Sequence, residues 1–241
     1  MISPLVPYAI KGALWYQGES NAGRAFEYTR SFPFLIKDWR KQWANDLPFF
    51  WVQLPNYILQ PGNIQKGSTW AELREAQAAA LALPKTGMAV TIDLGEAKDI
   101  HPTNKQDVGA RLAYAALNKV YRKNTEYTGP TYRNMKIDGN KAILTFDHAE
   151  KGLSVTGNSK EVTGFTIAGE DKVFYHAKAV VDGKSVIVSH DNVNKPVVVR
   201  YAWLDNPEGL NLFNKQGYPA APFRTDKWDG LTITRRFQPG N

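Results

Sequence analysis

Three short apolar runs, each followed by a polar turn and a helical pattern, most constrain how this chain can fold. They cover residues 13–16, 49–54 and 89–94. Continuous apolar runs of this length are typical of strands that are buried on both faces of a parallel sheet. Because parallel neighbours must be joined by crossovers, the intervening helices are expected to cover that sheet. The first half of the sequence therefore predicts an α/β layer.

The predicted helices follow these runs. Strong helix formers dominate residues 72–83. Pro33 is predicted to lie in the first turn of the first helix, where its missing N–H is not needed. The third helix is predicted to begin with a capping box, in which the Thr103 hydroxyl caps the first turn and Gln106 reaches back. The apolar stripes of the first and third helices are Phe32, Leu35, Ile36, Trp39 and Trp43, and Val108, Leu112, Ala115, Ala116 and Val120.

Beyond residue 130 the pattern changes to short strands separated by turns. Residues 138–140 and 182–183 contain the Asp-Gly pairs that favour hairpin turns. The sequence thus predicts an antiparallel β-domain over residues 127–241 after an α/β domain over 1–126. Residues 202–228 are irregular and rich in aromatics, and they are expected to pack back on the first domain. The predicted strands cover residues 141–146, 173–181, 185–189 and 196–201.

Composition excludes several classes of function. The chain has no cysteine, so disulfides, thiolate metal sites and cysteine nucleophiles are ruled out. The net charge is +7, but its Lys and Arg residues are scattered and do not form the basic stripe of a nucleic-acid-binding surface. No apolar run is long enough to span a membrane, and residues 1–7 do not resemble a signal peptide. Neither nucleic acid nor a membrane is therefore expected as a partner.

Polar residues gather where the predicted strands end. Residues 17–21 follow the first strand, residues 53–56 close the second, and Asp99 and His101 follow the third. Open parallel sheets bind ligands outside the carboxyl ends of their strands. A histidine beside a carboxylate can take a proton from a nucleophile, while amides beside a glycine suit an oxyanion hole. The pattern indicates an acyl-transfer hydrolase.

Several of these motifs resemble the sialate O-acetylesterase family, a carbohydrate acetylesterase family of the SGNH hydrolase superfamily. The similarity runs from about residue 2 to residue 120 and returns near the C-terminus. It implies a flavodoxin-like parallel sheet of the SGNH type, followed by the β-domain. The motifs are KGALWYQGESNA at 11–22, QLP at 53–55, Trp70 with REAQ at 74–77, DIHP at 99–102, PEG at 207–209, Asn211, Asn214 and APFRT at 221–225.

The resemblance also implies an activity. Members of this family remove O-acetyl groups from sugars with Ser, His and usually Asp, and they use no metal or cofactor. An O-acetylated carbohydrate is accordingly the expected substrate. His101 would be the general base and Asp99 the acid that orients it, while Glu19 would hold the turn after the first strand. The residues implied for the oxyanion and substrate pocket are Gln17, Gly18, Glu19, Asn21 and Trp70.

The chain departs from the family pattern at two places. The usual block is Asp-x-x-His, but Lys98 stands three positions before His101, so Asp99, Asp93 or a backbone carbonyl is expected to orient the imidazole. The family's nucleophile lies in an upstream Gly-Gln-Ser-Asn block that these 241 residues do not contain. Three strand–helix units are also fewer than a flavodoxin-like sheet has. We therefore expect an N-terminally incomplete sheet and a chain that is nearly inactive alone.

Other interpretations of the sequence remain open. Ser20 follows an apolar strand and is the best-placed nucleophile within the chain, although it lacks a Gly-x-Ser-x-Gly elbow. The chain could instead be a non-catalytic carbohydrate-binding or interaction module. The sheet could be completed by an N-terminal segment or by a second copy in a homo-oligomer, since an unpaired central strand favours aggregation. Similarity to bacterial members favours a periplasmic or extracellular location.

Overall fold

The computed structural model describes residues 2–58, 62–157 and 159–238. Its first half is a three-stranded parallel sheet in the order β1-β2-β3, with Ala13 paired to Phe49 and Phe49 paired to Thr86. The predicted α/β layer is therefore confirmed. The strands are β1 (Ala13–Trp15), β2 (Phe49–Val52) and β3 (Thr86–Ala89), and the helices are α1 (Ala25–Gln42), α2 (Thr69–Ala79) and α3 (Lys105–Lys119).

The third strand lies earlier in the chain than predicted. We expected residues 89–94, but the ladder with β2 ends at the pair of Val52 and Ala89. Val90 and Ile92 are nevertheless buried, because the chain continues through the core after it leaves the sheet. The apolar run that was predicted as a strand therefore reflects burial in the core rather than pairing in the sheet.

Helix α1 begins at Ala25 rather than at Pro33, so the prediction that Pro33 opens the helix was wrong. A proline inside a helix removes a backbone hydrogen bond and costs about 3 kcal/mol. The turns before it bury Ala25, Tyr28 and Phe32. This tertiary packing offsets the local preference and extends the helix towards the N-terminus.

The first turn of α3 also differs from the prediction. Asn104 is the N-cap, and its Oδ1 atom accepts a hydrogen bond from the Asp107 N–H at 3.1 Å. Thr103 binds a glutamate seven residues upstream instead, as described below. Asparagine and threonine are both favoured N-caps, so local sequence alone could not distinguish the two positions.

The two faces of the parallel sheet are covered unequally. On one face Trp15 packs edge-on against Trp39 of α1, with ring centroids 6.1 Å apart. On the other face α3 covers Phe50 and its neighbours in β2 and β3. Leu14, which pairs with Phe50, is 67% exposed. Within the described residues β1 pairs only with β2, so its outer edge and the Leu14 face are open.

The second half is built from antiparallel strands, which confirms the predicted β-domain. Its sheets have the orders β4-β5-β10-β9, β13-β11-β7-β8 and β12-β6. The hairpin turn predicted at residues 138–140 joins β4 to β5, and Gly139 there has a φ of 58°. The strands are β4 (Thr131–Asp138), β5 (Lys141–Asp147), β6 (Leu153–Val155), β7 (Phe165–Ala168), β8 (Tyr175–His176), β9 (Lys178–Asp182), β10 (Ser185–Ser189), β11 (Val198–Tyr201), β12 (Leu212–Asn214) and β13 (Phe223–Arg224).

One predicted strand of the β-domain is divided in the structure. Residues 173–181 form β8 and the first part of β9, with a break at Ala177 between them. The two pieces belong to different sheets, since β8 pairs with β7 and β9 pairs with β10. None of the helices in the described ranges is both long enough and apolar enough to cross a membrane.

Candidate active site

The turn after β1 forms a closed hydrogen-bond network. The Tyr28 hydroxyl of α1 donates to Oε1 of Gln17 at 3.0 Å, and Nε2 of Gln17 donates to Oδ1 of Asn21 at 2.7 Å. Gln17 and Asn21, both predicted site residues, are thereby held side by side. The sequence analysis did not identify Tyr28, although it lies on the same helical face as Phe32.

Gly18 adopts a backbone conformation that other residues rarely take, with φ 155° and ψ −19°. A Cβ atom there would lie 3.0 Å from a Leu73 methyl group and 3.2 Å from Nε2 of Gln77. A side chain at this position is therefore disfavoured by both strain and space. The Gly18 N–H donates to Oε2 of Glu19 at 2.8 Å. A substrate oxygen would have to compete with this carboxylate for the predicted oxyanion donor.

Two buried side chains of α2 hold the end of β2 next to this turn. Gln77 accepts the Leu54 N–H at 2.9 Å and donates to the Gln17 carbonyl at 3.2 Å. The Arg74 guanidinium donates to the carbonyls of Leu54 and Pro55 at 2.9 and 2.8 Å. Both residues lie in the REAQ motif, to which the sequence analysis gave no role. They fix the loop after β2 from beneath.

Trp70 has the same supporting position. Its indole N–H donates to the Pro55 carbonyl at 2.8 Å, and its ring lies 5.5 Å from that of Tyr57. Only 6% of the residue is exposed. Trp70 was implied as a residue of the oxyanion and substrate pocket, but its buried ring offers little free face for a sugar.

The histidine lies on the loop that follows β3. The His101 side chain is 83% exposed, and its Nδ1 atom is 3.8 Å from Oδ1 of Asp99. That distance is too long for a hydrogen bond. The same Asp99 oxygen accepts the backbone N–H of His101 at 2.8 Å. Asp99 therefore fixes the local backbone and remains next to the imidazole.

The alternative acid, Asp93, is engaged elsewhere. Its two carboxylate oxygens accept from the Arg111 guanidinium at 2.6 and 2.7 Å in a bidentate pair. Such charge-assisted pairs are strong and directional. Of the two carboxylates considered from the sequence, Asp99 is thus the one left near the imidazole.

Glu96 closes the loop that carries His101. Its Oε1 atom accepts both the N–H and the hydroxyl of Thr103, each at 2.7 Å. These hydrogen bonds stabilise the charged form and lower the pKa of Glu96 below its usual value. The contact brings Thr103 back to the start of the loop and leaves the capping of α3 to Asn104.

A chain of side-chain amides connects this loop to the β-domain. The Gly95 N–H donates to Oδ1 of Asn56 at 2.9 Å, and Nδ2 of Asn56 donates to Oδ1 of Asn206 at 2.8 Å. Asn206 is fully buried and in turn donates to Glu208 at 2.8 Å. Asn206 was not predicted as a site residue, although it directly precedes the PEG motif at 207–209.

The residue that follows β1 contacts the start of α3. The Lys105 ammonium group, at the start of α3, lies 5.1 Å from the ring centroid of Tyr16. Burial, followed by the nearby charge of Glu19, raises the pKa of Tyr16 to about 12.

Ser20 is exposed in the short 3-10 helix Glu19–Arg24, and no described group hydrogen bonds to its hydroxyl.

The arrangement favours proton transfer to and from an external group. An exposed imidazole beside a carboxylate can act as a base. The amide network of the turn after β1 lies at the same edge of the parallel sheet and can supply polar groups for an oxyanion. In the described parts of the chain, no group of three or more His, Asp or Glu side chains could hold a metal ion.

Comparison with known proteins gives a consistent result. Residues 3–118 match the family described as carbohydrate esterase, sialic acid-specific acetylesterase. Mouse sialate O-acetylesterase is 34% identical over 171 residues, covering 63% of this chain and 31% of the mouse protein. The human sialate O-acetylesterase is 28% identical over 250 residues, covering 92% of this chain and 47% of the human protein.

A solved structure extends the similarity into the β-domain. The crystal structure of XAC1771, a carbohydrate acetylesterase from Xanthomonas citri, superposes with a TM-score of 0.88 at 46% identity. It covers 93% of this chain, which corresponds to 52% of the Xanthomonas chain. The chain thus spans about half, or less, of the length of these relatives. Residues 3–118 are thus similar in sequence to the sialic acid-specific carbohydrate esterases, and the α/β fold with its following β-domain is similar to that of a carbohydrate acetylesterase.

Proposed function

We propose that the chain carries the histidine half of the active site of a carbohydrate O-acetylesterase, which hydrolyses acetyl esters on sugars. The observation that carries the proposal is the exposed His101 imidazole, 3.8 Å from Asp99, at the edge of the sheet where the donor turn 17–21 lies. The names of the relatives support an acetylated sugar, including acetylated sialate, as the substrate.

The reaction follows from the roles that these groups can fill. His101 takes the proton of a serine hydroxyl as the serine oxygen attacks the acetyl carbonyl. The imidazolium then returns that proton to the sugar oxygen as the C–O bond breaks, leaving an acetyl-enzyme. Water activated by the same imidazole releases acetate and restores the serine. Asp99 stabilises the imidazolium in both steps, through a contact that shortens when the ring is charged.

The amides of the turn stabilise the tetrahedral oxygen. Asn21 uses its Oδ1 atom to hold Gln17, which leaves its Nδ2 group with no partner among the described residues. The Gly18 N–H joins it if the substrate oxygen displaces the Glu19 carboxylate. In measured cases, an oxyanion donor contributes roughly 3–4 kcal/mol to the transition state.

The nucleophilic serine, in this proposal, comes from outside these 241 residues. The open edge of β1 and the exposed face at Leu14 support this, because a further parallel strand could pair there and place a serine beside the donor turn. Ser20 makes no hydrogen bond to His101 and fits the role less well.

A fluorophosphonate label tests the nucleophile and the base together. The complete gene product and the 241-residue chain are assayed with 4-nitrophenyl acetate and then labelled, and the modified serine is located by mass spectrometry. We expect labelling and hydrolysis only in a protein that supplies the external serine. His101→Ala should lower kcat by about 10⁴-fold or more. His176→Ala, an exposed histidine of β8, is the matched control and should have no effect.

Two results would contradict the proposal. A label on Ser20, with activity lost in Ser20→Ala, would place the nucleophile inside the chain. Hydrolysis that survives His101→Ala would remove His101 from the mechanism, whatever serine is labelled.

A further inference from the structure

A second cavity, of about 510 Å³, lies between the β-domain, the C-terminal segment and the loop before α2. It contains none of the residues of the candidate active site, and most of its lining follows residue 118, where the family match ends. Its volume lies in the range of small-molecule sites.

Aromatic rings form the floor and one wall of this cavity. Phe174 and Trp203 are almost fully buried, at 4% and 6% exposure. Trp228 is half-buried and meets Phe174 nearly at right angles, with centroids 6.0 Å apart. A half-buried indole in a cavity presents an apolar surface of the kind on which the C–H face of a sugar ring stacks.

Two partly buried arginines, each held by a carboxylate, also line this cavity. Arg200 forms a bidentate pair with Asp226 at 2.8 and 3.1 Å and lies 4.3 Å from the Phe174 centroid. Arg224 forms a second bidentate pair with Glu75 at 2.8 and 2.9 Å. In each pair the carboxylate compensates the charge of the guanidinium, so both arginines are held in place without a bound ligand.

The mouth of the cavity carries an excess of positive charge. Lys66, Lys172 and Lys227 are exposed, and none of them belongs to the ion pairs of the described residues. The Lys172 ammonium lies 4.8 Å from the Trp228 ring centroid. Among the lining carboxylates, only Asp229 is exposed to balance them.

The negative charge of the other lining carboxylate, Glu72, is already stabilised by hydrogen bonds. Its Oε1 atom accepts the Leu231 N–H at 2.6 Å. Its Oε2 atom accepts the N–H and hydroxyl of Thr232 at 3.1 and 2.6 Å. Glu72 thus closes the inner end of the cavity and leaves the lysines to determine what enters.

We propose that this cavity binds a sugar that carries a carboxylate. The carboxylate draws the Lys172 ammonium away from the Trp228 indole, which it faces at 4.8 Å, and the sugar ring takes its place against the indole, with Lys227 as the second cation. An aromatic wall selects a ring with an apolar face, and the unpaired lysines select a negative charge. The cavity would therefore retain an acidic glycan on the β-domain. This inference does not depend on how, or whether, the protein hydrolyses esters.

Calorimetric titration of the 241-residue chain with sodium glucuronate tests the proposal, with glucose and acetate as the comparison ligands. We expect saturable binding of glucuronate that weakens as salt is added, and weaker binding of the other two compounds. Lys172→Met and Lys227→Met should each reduce the affinity by about twofold to fivefold. Trp228→Leu should reduce it by a similar or larger factor. Lys184→Met, in the turn between β9 and β10, is the matched control and should leave the affinity unchanged.

Each alternative result overturns the proposal. If the binding of glucuronate does not saturate, the cavity is not a sugar site. If acetate binds as tightly as glucuronate, the cavity is a site for anions and does not recognise the sugar. If glucose binds as tightly, the lysines do not contribute to recognition. Equal affinities in the lysine variants and the control would place the ligand elsewhere. None of these titrations measures ester hydrolysis. Failure of the proposed esterase mechanism would therefore not change how the binding results are interpreted.

Discussion

Tyr28 shows how one buried side chain can fix a polar turn. It is 4% exposed and donates to Gln17, which in turn holds Asn21. Burial raises the pKa of Tyr28 to about 12. An acid whose folded pKa lies above its unfolded value of 10 stabilises the fold fully below pH 10, and this contribution is lost as the pH rises towards 12.

We expect Tyr28→Phe to lower the free energy of unfolding by about 1–2 kcal/mol at pH 8, since the Gln17 oxygen loses its donor. The variant should also lose less stability than the unmodified protein between pH 9 and pH 11, because the shifted phenol is gone. Urea unfolding at both pH values measures each effect. Tyr121→Phe, at an exposed position, is the control. An unchanged pH dependence in Tyr28→Phe would contradict this account.

Arg74 is a fully buried cation, and among the described residues its hydrogen-bond acceptors are all backbone carbonyls. Besides Leu54 and Pro55, it donates to the carbonyls of Leu204 at 2.7 Å and Asp205 at 2.8 Å. Burial lowers the pKa of Arg74 to about 9. Its planar group can hold two loops at once, which a lysine ammonium cannot do.

Arg74→Met should therefore lower the free energy of unfolding by at least about 3 kcal/mol, because several buried carbonyls lose their donor together. Arg74→Lys should recover only a part of that loss. Urea denaturation curves provide the comparison, with the exposed Arg30→Met as the control. A loss below about 1 kcal/mol in Arg74→Met would mean that water replaces the guanidinium at little cost.

At the scale of elements, the loop between β3 and α3 is controlled by a contact that is not local. The Glu96 carboxylate holds Thr103, and Asn104 caps the helix. The lowered pKa of Glu96 means that this stabilisation is present above its ordinary pKa and is lost as the pH falls through the lower, folded value.

Glu96→Gln is expected to loosen this loop while the rest of the fold is retained. Amide hydrogen exchange at Thr103 should become faster, since its N–H loses a charged acceptor. In the complete enzyme, kcat should fall because His101 is less well positioned. Glu170→Gln, at an exposed position, should change neither quantity. Unaltered exchange at Thr103 would show that the loop is held by other contacts.

Much of the element content could be predicted from the sequence, because strand periodicity and turn residues act locally. Strand β10 was predicted with its observed bounds, and the turn at 138–140 lies where Asp-Gly indicated it. The shift of β3 and the early start of α1 could not be predicted. Both depend on which residues pair with β2 or bury against it, and local apolar content does not report that.

The same distinction applies to the candidate site. His101, Gln17 and Asn21 could be predicted as candidates because their chemistry and their family motif stand together in the sequence. Asn206 could not, since its role depends on Asn56, which lies 150 positions away. Contacts between residues this far apart in sequence are set by tertiary packing, so local sequence patterns do not predict them.

For the whole molecule, partly buried polar contacts join the α/β layer to the later strands. Asn206 bonds to Asn56, and Arg224 bonds to Glu75, 149 positions away. The buried apolar residues of both parts also belong to one core cluster, so separation of the parts would expose apolar surface to water. We therefore expect the two parts to open together rather than in sequence.

Native-state hydrogen exchange in increasing urea can measure this coupling. In the unmodified protein, the opening free energies of Trp51 in β2 and Val186 in β10 should converge on one value, because both amides then exchange through global unfolding. The double variant Glu75→Met, Asn206→Ala removes one partner of each of these two contacts, so the two values should separate. Glu170→Gln, outside the joint, should leave them together. Two separate values in the unmodified protein would show that the joint adds no cooperativity, and that the β-domain folds independently of the layer that carries His101.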